Sequence, residues 1–197
     1  MTPAGERRPG RAAVRQDEGI ARLILLNGPP GVGKSTIARR YLEDHPLTLL
    51  IEIDELRLAI GGWDEHEESK LLARVLALAL ARAHLGAGHD VVLPQYLARA
   101  EFIDELQAVA SEVGAQFRHV LLADARQATT QRFRIRRAEL QAGGGVHPQA
   151  DLAEGAIDAA IGEAERRLTD MAAERRDVSV VHLSAGDGYT GVLAALG

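Results

Sequence analysis

Residues 28–36 constrain this 197-residue chain more than any other segment, because they match the pattern G-x-x-x-x-G-K-[ST] at every fixed position. The apolar run 20–26 before them predicts a buried strand, and residues 34–43 after them predict a helix that ends before Pro46. Glycines let backbone amides turn inward around an anion, and the helix N-terminus adds free N–H groups and its dipole. The segment therefore predicts a P-loop that binds the phosphates of a nucleoside triphosphate.

The residue types within the loop each suit a phosphate ligand. Lys34 is expected to place a positive charge against the β- and γ-phosphates, and Ser35 to offer its hydroxyl to the Mg²⁺ that the phosphates carry. A glycine-rich turn that only joins a strand to a helix is the alternative, which the complete motif in this context disfavours. The expected nucleotide-binding residues of the loop are Gly28, Pro29, Gly31, Val32, Gly33, Lys34, Ser35 and Thr36.

Apolar runs and helical patterns alternate along the rest of the chain. Strands are predicted at 20–26, 47–53, 90–93, 117–122 and 178–183. Helices are predicted at 34–43, 54–60, 65–85, 98–113, 125–141, 151–176 and 189–196. This alternation predicts an α/β fold with a parallel sheet covered by helices on both faces. Ligands bind beyond the carboxyl ends of such strands, so the candidate site combines residues 28–35, 54–57, 94–96, 124–126 and 184–187.

Composition narrows the classes of protein and partner. The absence of cysteine excludes disulfides and thiolate metal sites, and it suits a reducing compartment such as the cytoplasm. The formal net charge of −5 argues against a nucleic-acid partner, and no apolar run approaches the roughly 18 residues of a membrane span. We expect residues 1–18, rich in Pro, Gly, Ala and Arg, to form a disordered tail and residues 19–197 to form one domain.

A second short motif, I-E-I-D-E-L-R, follows at residues 51–57. The P-loop near the N-terminus and the Asp54 that ends the next strand resemble the small P-loop kinases, notably chloramphenicol phosphotransferase, polynucleotide 5′-kinases and zeta-toxin-like enzymes. In polynucleotide 5′-kinases an Arg follows this Asp by three residues, as Arg57 does here. The resemblance covers about residues 20–185. It implies a P-loop kinase-like three-layer sandwich with a five-stranded parallel sheet in the order 2-3-1-4-5.

The same resemblance assigns expected roles to two residues of this motif. It implies that Asp54 is the general base for the accepting hydroxyl, and that Arg57 helps to hold the acceptor or a phosphate. A carboxylate beside the P-loop can accept a hydroxyl proton or orient the hydroxyl. Asp54 also suits the N-cap of the following short helix, and both roles are compatible. Arg57 is equally a candidate for a solvated helix residue or for a partner of Glu52 or Glu55.

Arginines crowd the predicted helix before the glycines at 143–145, namely Arg126, Arg132, Arg134, Arg136 and Arg137. Small kinases that resemble this chain carry a lid there, so we expect a lid at about 126–150 whose arginines close over the phosphates. The guanidinium fork bridges phosphate oxygens, and the glycines offer a hinge. A solvated charged helix face is the alternative. Arg132 and Arg136 lie one turn apart and are the first catalytic candidates, followed by Arg126 as a nucleotide-binding residue.

Three further residues are candidates for binding the acceptor. Gln95 and Tyr96 follow the third strand and could hydrogen-bond a polar substrate, although loop packing explains them equally well. Trp63, the only tryptophan, could stack on a ring of the substrate, although a partly buried packing role is more usual for this residue type.

The sequence thus predicts an ATP- and Mg²⁺-dependent kinase that moves the γ-phosphate to a hydroxyl of a small molecule, such as an antibiotic or other metabolite, a sugar or a nucleoside. A polynucleotide 5′-kinase and a regulatory protein that only binds nucleotide are the main alternatives. Phosphorylation of a peptidoglycan sugar precursor, as in zeta-toxin-like enzymes, is a third. We expect a cytoplasmic protein without a nucleic-acid or membrane partner.

Overall fold

A computed structural model describes residues 19–142, 153–183 and 187–197. The expected tail at 1–18, residues 143–150 of the expected lid, which include its glycines, and residues 184–186 lie outside these ranges.

Five parallel strands form one sheet in the order β2-β3-β1-β4-β5. The strands are β1 (Arg22–Asn27), β2 (Leu49–Leu50), β3 (Val91–Pro94), β4 (Gln116–Ala123) and β5 (Val178–His182). The helices are α1 (Lys34–Asp44), α2 (Ile53–Leu58), α3 (Ser69–Gly86), α4 (Ala100–Glu112), α5 (Arg126–Ala142), α6 (Ile157–Glu174) and α7 (Gly188–Leu196), with a 3₁₀ turn at Glu154–Ala156. The predicted α/β class and strand order are confirmed. Over the described ranges, none of the helices has both the length and the apolar composition of a membrane span.

The central strand β1 feeds both layers of the core through its alternating side chains. Leu23 and Leu25 face the layer that contains α3, α4 and α6, whereas Ile24 and Leu26 face α1 and α7. All four side chains are at most 1% exposed. Full burial of each such side chain contributes about 1.5–3 kcal/mol, and a one-residue slip would move each of them to the wrong layer. The register of β1 therefore fixes where the following loop starts.

Asn27 ends β1 as a fully buried amide. Its Oδ1 accepts from the backbone N–H of Gly28 at 2.8 Å and from that of Leu97 at 2.9 Å. Its Nδ2 donates to the Leu97 carbonyl at 2.7 Å and lies 3.1 Å from Nε2 of His119. Because Nδ2 can only donate, Nε2 accepts and the buried imidazole is neutral. One side chain therefore ties the start of the P-loop to the β3–α4 connection and to β4.

The edge of the sheet near β2 differs in detail from the prediction. The run 47–53 yields a strand of only two residues, because Leu47 adopts a left-handed φ of 70° and delays pairing with β3. Helix α2 then begins at Ile53, with Glu52 at the N-cap position. The N-cap alternative for Asp54 is therefore wrong, since Asp54 lies within the first helical turn.

Helix α5 packs directly against the P-loop at Gly31. This residue has a φ of 83°, a conformation that favours glycine. A Cβ added there would lie 2.5 Å from the carbonyl oxygen of Thr129 and 2.9 Å from the Cβ of Phe133. The missing side chain thus lets the backbone of the loop touch the backbone of α5.

The neutral state of His119 makes stability depend on pH. Burial lowers the pKa of His119 from 6.5 to about 4. Between these values the unfolded chain binds more protons than the folded one, so the free energy of unfolding falls as the pH falls. We expect this residue to account for a loss of about 3 kcal/mol between pH 7 and pH 4. Urea denaturation across this range should give a shallower loss for His119→Gln, which keeps an acceptor for Asn27; identical losses in both proteins would contradict the assignment.

The contact at Gly31 predicts that replacing two different glycines by alanine will change the free energy of unfolding by different amounts. We expect Gly31→Ala to lower the free energy of unfolding by about 2–4 kcal/mol, because it adds left-handed strain to overpacking. Gly86→Ala is the matched control, since a Cβ at Gly86 meets no atom within 4 Å. Denaturant unfolding of both variants measures the difference, and equal stabilities would refute the close approach of α5.

Candidate active site

A cleft of about 590 Å³ opens beyond the carboxyl ends of the strands. Four segments line it: the P-loop with the start of α1, the β2–α2 junction, the connection after β3, and one face of α5. Its lining comprises Pro30, Gly31, Gly33, Lys34, Ser35, Thr36, Arg39, Glu52, Ile53, Asp54, Glu55, Pro94, Gln95, Tyr96, Arg132, Ile135, Arg136, Glu139 and Leu140. Most of the sequence-predicted residues thus meet in one place.

The backbone of the P-loop forms an open anion site. Gly28, Gly31 and Gly33 all have positive φ angles, of 152°, 83° and 110°. The amides of Gly31, Gly33 and Lys34 donate to no backbone carbonyl of the described residues. Helix α1 has Gly33 at its N-cap and no side chain capping it. Inward-turned amides and an uncapped helix N-terminus are suited to bind phosphate oxygens.

Three predicted loop residues support this site from behind and do not line the cleft. The amide of Gly28 is bonded to Asn27, and the carbonyl of Pro29 accepts from Lys34. The side chain of Val32 is 1% exposed and packs with the core on the α1 face of the sheet. Their contribution is to hold the shape of the loop.

The ammonium of Lys34 is folded back onto its own loop. Its Nζ donates to the carbonyl of Gly28 at 2.8 Å and to that of Pro29 at 3.0 Å. The pKa of Lys34 is lowered from 10.5 to about 7, chiefly by burial and also by the charge of Arg136, while the charge of Asp54 opposes both effects. A cation from α5 and an anion from α2 therefore act on the same amine.

Helix α5 presents a regular face to the cleft. Arg132, Ile135, Arg136, Glu139 and Leu140 recur at intervals of three and four residues. Sequence reasoning selected only Arg132 and Arg136 from this face. The helical spacing from these two arginines was the signal that could have added the other three.

The two arginines on this face are held differently. Nε of Arg132 donates to the Gly31 carbonyl at 2.8 Å, and its Nη2 pairs with Asp124 at 2.7 Å. Arg132 thereby bridges the P-loop and the end of β4. Arg136 forms no ion pair with a carboxylate in the described ranges, so its charge stays directed at the cleft.

The β2–α2 junction brings three carboxylates to the cleft. Asp54, in the first turn of α2, is half-buried, and Glu52 and Glu55 flank it on the cleft wall. Arg39 of α1 lies 3.5 Å from Glu52 across the opening. Sequence reasoning assigned no individual role in the site to Arg39, Glu52 or Glu55, although both glutamates lie in the motif at 51–57.

Three predicted site residues do not reach the cleft. Arg57 donates to Ser69 Oγ at 2.9 Å and to the Trp63 carbonyl at 3.2 Å, and its guanidinium lies 4.8 Å from the centre of the Trp63 ring. Arg57 and Trp63 therefore fasten the turn between α2 and α3. Arg126 pairs with Glu165 of α6 at 2.8 Å and faces a different cavity. Its distance from the P-loop follows from its place at the first residue of α5, on the side that packs on α6.

The donor set in the cleft fits a magnesium ion that arrives with phosphates. In the described part of the chain, no group of three or more His, Cys, Asp or Glu side chains is arranged to hold a metal ion alone. Mg²⁺ keeps most of its waters and uses one or two protein groups together with substrate phosphates. The hydroxyl of Ser35, next to Lys34 on the cleft wall, is suited to be such a group.

Two curated relatives are both adenylate kinases. The protein from Novosphingobium aromaticivorans is 28% identical over 161 residues, which cover 75% of this chain and 74% of that protein. The protein from Synechococcus sp. is 31% identical over 117 residues, which cover 53% of this chain and 63% of that protein. The chain thus spans less than two thirds of the Synechococcus relative.

Solved structures share the fold at low sequence identity. A gluconokinase from Sinorhizobium meliloti 1021 has a TM-score of 0.57 at 18% identity and covers 90% of this chain and 91% of its own. A tunicamycin resistance protein of Deinococcus radiodurans has a TM-score of 0.54 at 17% identity, and the match covers 89% of this chain and 93% of that protein chain. The Pnkp1/Rnl/Hen1 RNA repair complex contains a chain with a TM-score of 0.62 at 16% identity, and the match covers 84% of this chain and 50% of that one.

A family model described as an AAA domain matches residues 23–153, which include the P-loop, the β2–α2 junction and the arginine-rich α5. The matched region exceeds half of the chain and coincides with the elements that line the cleft. The expected resemblance to small P-loop kinases is confirmed by this match and by the kinases that share the fold. The chain belongs to this AAA-domain family.

Proposed function

We propose that this protein transfers the γ-phosphate of ATP to a hydroxyl group of a small molecule. The observation that carries the proposal is that Lys34, Asp54 and Arg136 line a single cleft, where the charges of Asp54 and Arg136 both act on Lys34. A phosphate-binding loop alone would serve a protein that only binds nucleotide. A carboxylate beside its lysine, and an arginine that pairs with no carboxylate of the described residues, are the additional groups that transfer requires.

In the proposed reaction the acceptor hydroxyl enters between Asp54 and the terminal phosphate. Asp54 takes the hydroxyl proton while the acceptor oxygen forms a bond to the γ-phosphorus, and the bond from that phosphorus to the bridging oxygen of ADP breaks. Lys34 and Arg136 offset the negative charge that spreads over the transferred group. Magnesium, held through Ser35 and the phosphates, would supply further positive charge to the donor.

Gln95 and Tyr96 are proposed to orient the acceptor, because both line the cleft at the end of β3. Arg132 is proposed to position α5 against the loop, since its guanidinium is bonded to Gly31 and Asp124. This arrangement leaves Arg136 as the residue of α5 that we propose for phosphate contact. The net charge of −5 favours a small acceptor over a polynucleotide.

The role of Asp54 is tested by its amide variant. We expect Asp54→Asn to reduce kcat for phosphate transfer by about 10²–10⁴-fold while the Kd for ATP changes little. Transfer from labelled ATP is measured over a panel of sugars, sugar acids, nucleosides, antibiotics and a 5′-hydroxyl oligonucleotide. Asp170→Asn, on the exposed side of α6, serves as the control.

Three outcomes would contradict part or all of the proposal. Full transfer by Asp54→Asn would remove the base assignment but leave the kinase. A wild-type protein that binds ATP and transfers phosphate to nothing in the panel would favour a nucleotide-binding regulatory protein. Transfer to the oligonucleotide alone would identify a polynucleotide 5′-kinase.

The lowered pKa of Lys34 predicts pH-dependent nucleotide binding. Above pH 7 the empty protein loses the ammonium charge, so binding of ATP must recover a proton. We expect the Kd for ATP to rise by up to about tenfold per pH unit between pH 7.5 and 9. Lys34→Arg carries a charge that does not titrate in this range, so its Kd should be flat. Isothermal titration calorimetry makes the comparison, and a flat wild-type curve would contradict the pKa shift.

A further inference from the structure

A second cavity, also of about 590 Å³, lies beside the cleft and shares Tyr96 with it. It is bounded by α3, the β3–α4 connection, the start of α4, and α6. Three arginines line it, one from each of three segments: Arg74 of α3, Arg99 before α4, and Arg167 of α6. Glu101 is the one acidic residue in its lining, so the wall carries an excess of positive charge.

Two of these arginines have no counter-charge within the described protein. Arg74 and Arg99 form no ion pair with any carboxylate of the described residues, whereas many surface arginines, such as Arg82 with Glu112, are paired. The guanidinium of Arg74 is held in place by Phe102, whose ring centre lies 5.2 Å away and whose side chain is buried. A cation fixed over an aromatic ring and aimed at a cavity is suited to bind an anion.

Two other parts of the wall also carry positive charge. Arg99 occupies the N-cap position of the 13-residue helix α4, and no side chain caps the free amides there. Arg167 pairs with Glu163 at 2.6 Å but still faces the cavity. Burial raises the pKa of Tyr96, and the charge of Arg167 acts against this, which places that cation near the phenol. The N-terminus of α4 and the guanidinium groups of Arg74, Arg99 and Arg167 thus all face the second cavity with positive charge.

The position of Tyr96 connects this cavity to the chemistry. Its neighbour Gln95 lines only the cleft that contains Lys34 and Asp54, whereas Tyr96 lines both spaces. A molecule that extends past Tyr96 would present one end to Asp54 and the other to the three arginines.

We propose that the second cavity is the acceptor subsite for an anionic group, and that the substrate is a hydroxyl compound which also carries a carboxylate, phosphate or sulfate. This inference rests on the proposed phosphotransfer, because it assigns the acceptor of that same site. The hydroxyl lies at Asp54 and the anionic group is bound by Arg74, Arg99 and Arg167. Neutral analogues bind more weakly because they offer no charge to these three arginines.

The test uses matched acceptors that differ only in the anionic group. Gluconate is compared with sorbitol, a nucleoside monophosphate with its nucleoside, and further hydroxy acids and sugar phosphates with their neutral counterparts. We expect the anionic member of a productive pair to have a kcat/KM at least about 100-fold higher. Equal transfer to the neutral member would overturn the inference and leave the kinase intact.

Variants of the arginines test whether these side chains bind the anionic group of the acceptor. Arg74→Gln and Arg99→Gln should each raise the acceptor KM by about 10- to 100-fold and leave the KM for ATP within twofold. Arg82→Gln, two turns along α3 from Arg74 and paired with Glu112, is the matched control and should change neither constant. Thermal unfolding verifies that each variant is folded. Unchanged acceptor KM in both variants would overturn the inference.

A binding arm separates this inference from the proposed function. The same pairs are titrated calorimetrically into the full chain loaded with a non-hydrolysable ATP analogue. Anionic members that bind only when Arg74 and Arg99 are present, but accept no phosphate, would support the subsite and refute the transfer. Phosphate transfer that does not depend on these arginines would support the transfer reaction and refute the subsite. Neither binding nor transfer by any anionic member would refute both.

Discussion

The hydrogen bonds of the buried Asn27 amide are the interaction on which the rest of the site depends. A buried amide with unmet bonds costs about 1–3 kcal/mol for each unsatisfied group, so the four partners of Asn27 are strongly constrained. They belong to the P-loop, to the β3–α4 connection and to β4. The P-loop and the β3–α4 connection are thus positioned relative to each other by one side chain, and the neutral imidazole of His119 is part of the same arrangement.

Local sequence patterns predicted most of the fold. The P-loop motif, the apolar strands and the breaks between helices are short-range signals, and they predicted the class and the strand order through the family resemblance. The sheet edge was harder, because Leu47 adopts a left-handed conformation that shortens β2 to two residues. No periodic signal marks a non-glycine residue in that conformation. The position of Asp54 in the first turn of α2 follows from this early end of the strand.

The site was predictable where proximity follows from topology. Lys34, Asp54 and Tyr96 follow strand ends, and parallel strands bring such ends together. Arg57 was assigned through its spacing from Asp54, Trp63 by residue type, and Arg126 from the arginine-rich helix. Ser69 lies 12 residues from Arg57 and Glu165 lies 39 residues from Arg126, and no local pattern reveals either partner. Arg74 and Arg167, which line the second cavity, face it only because α3 and α6 pack near the same connection. Tertiary packing, which sequence periodicity does not encode, decides such contacts.

The bonds from Lys34 to the carbonyls of Gly28 and Pro29 have a consequence for how the loop meets its ligand. The Lys34 ammonium donates to carbonyls of its own loop, so a triphosphate bound there as proposed would replace these acceptors without having to order the loop. Little conformational entropy is lost at that moment. The hydrogen bonds of Lys34 thus hold the loop in a preorganised conformation before any phosphate binds.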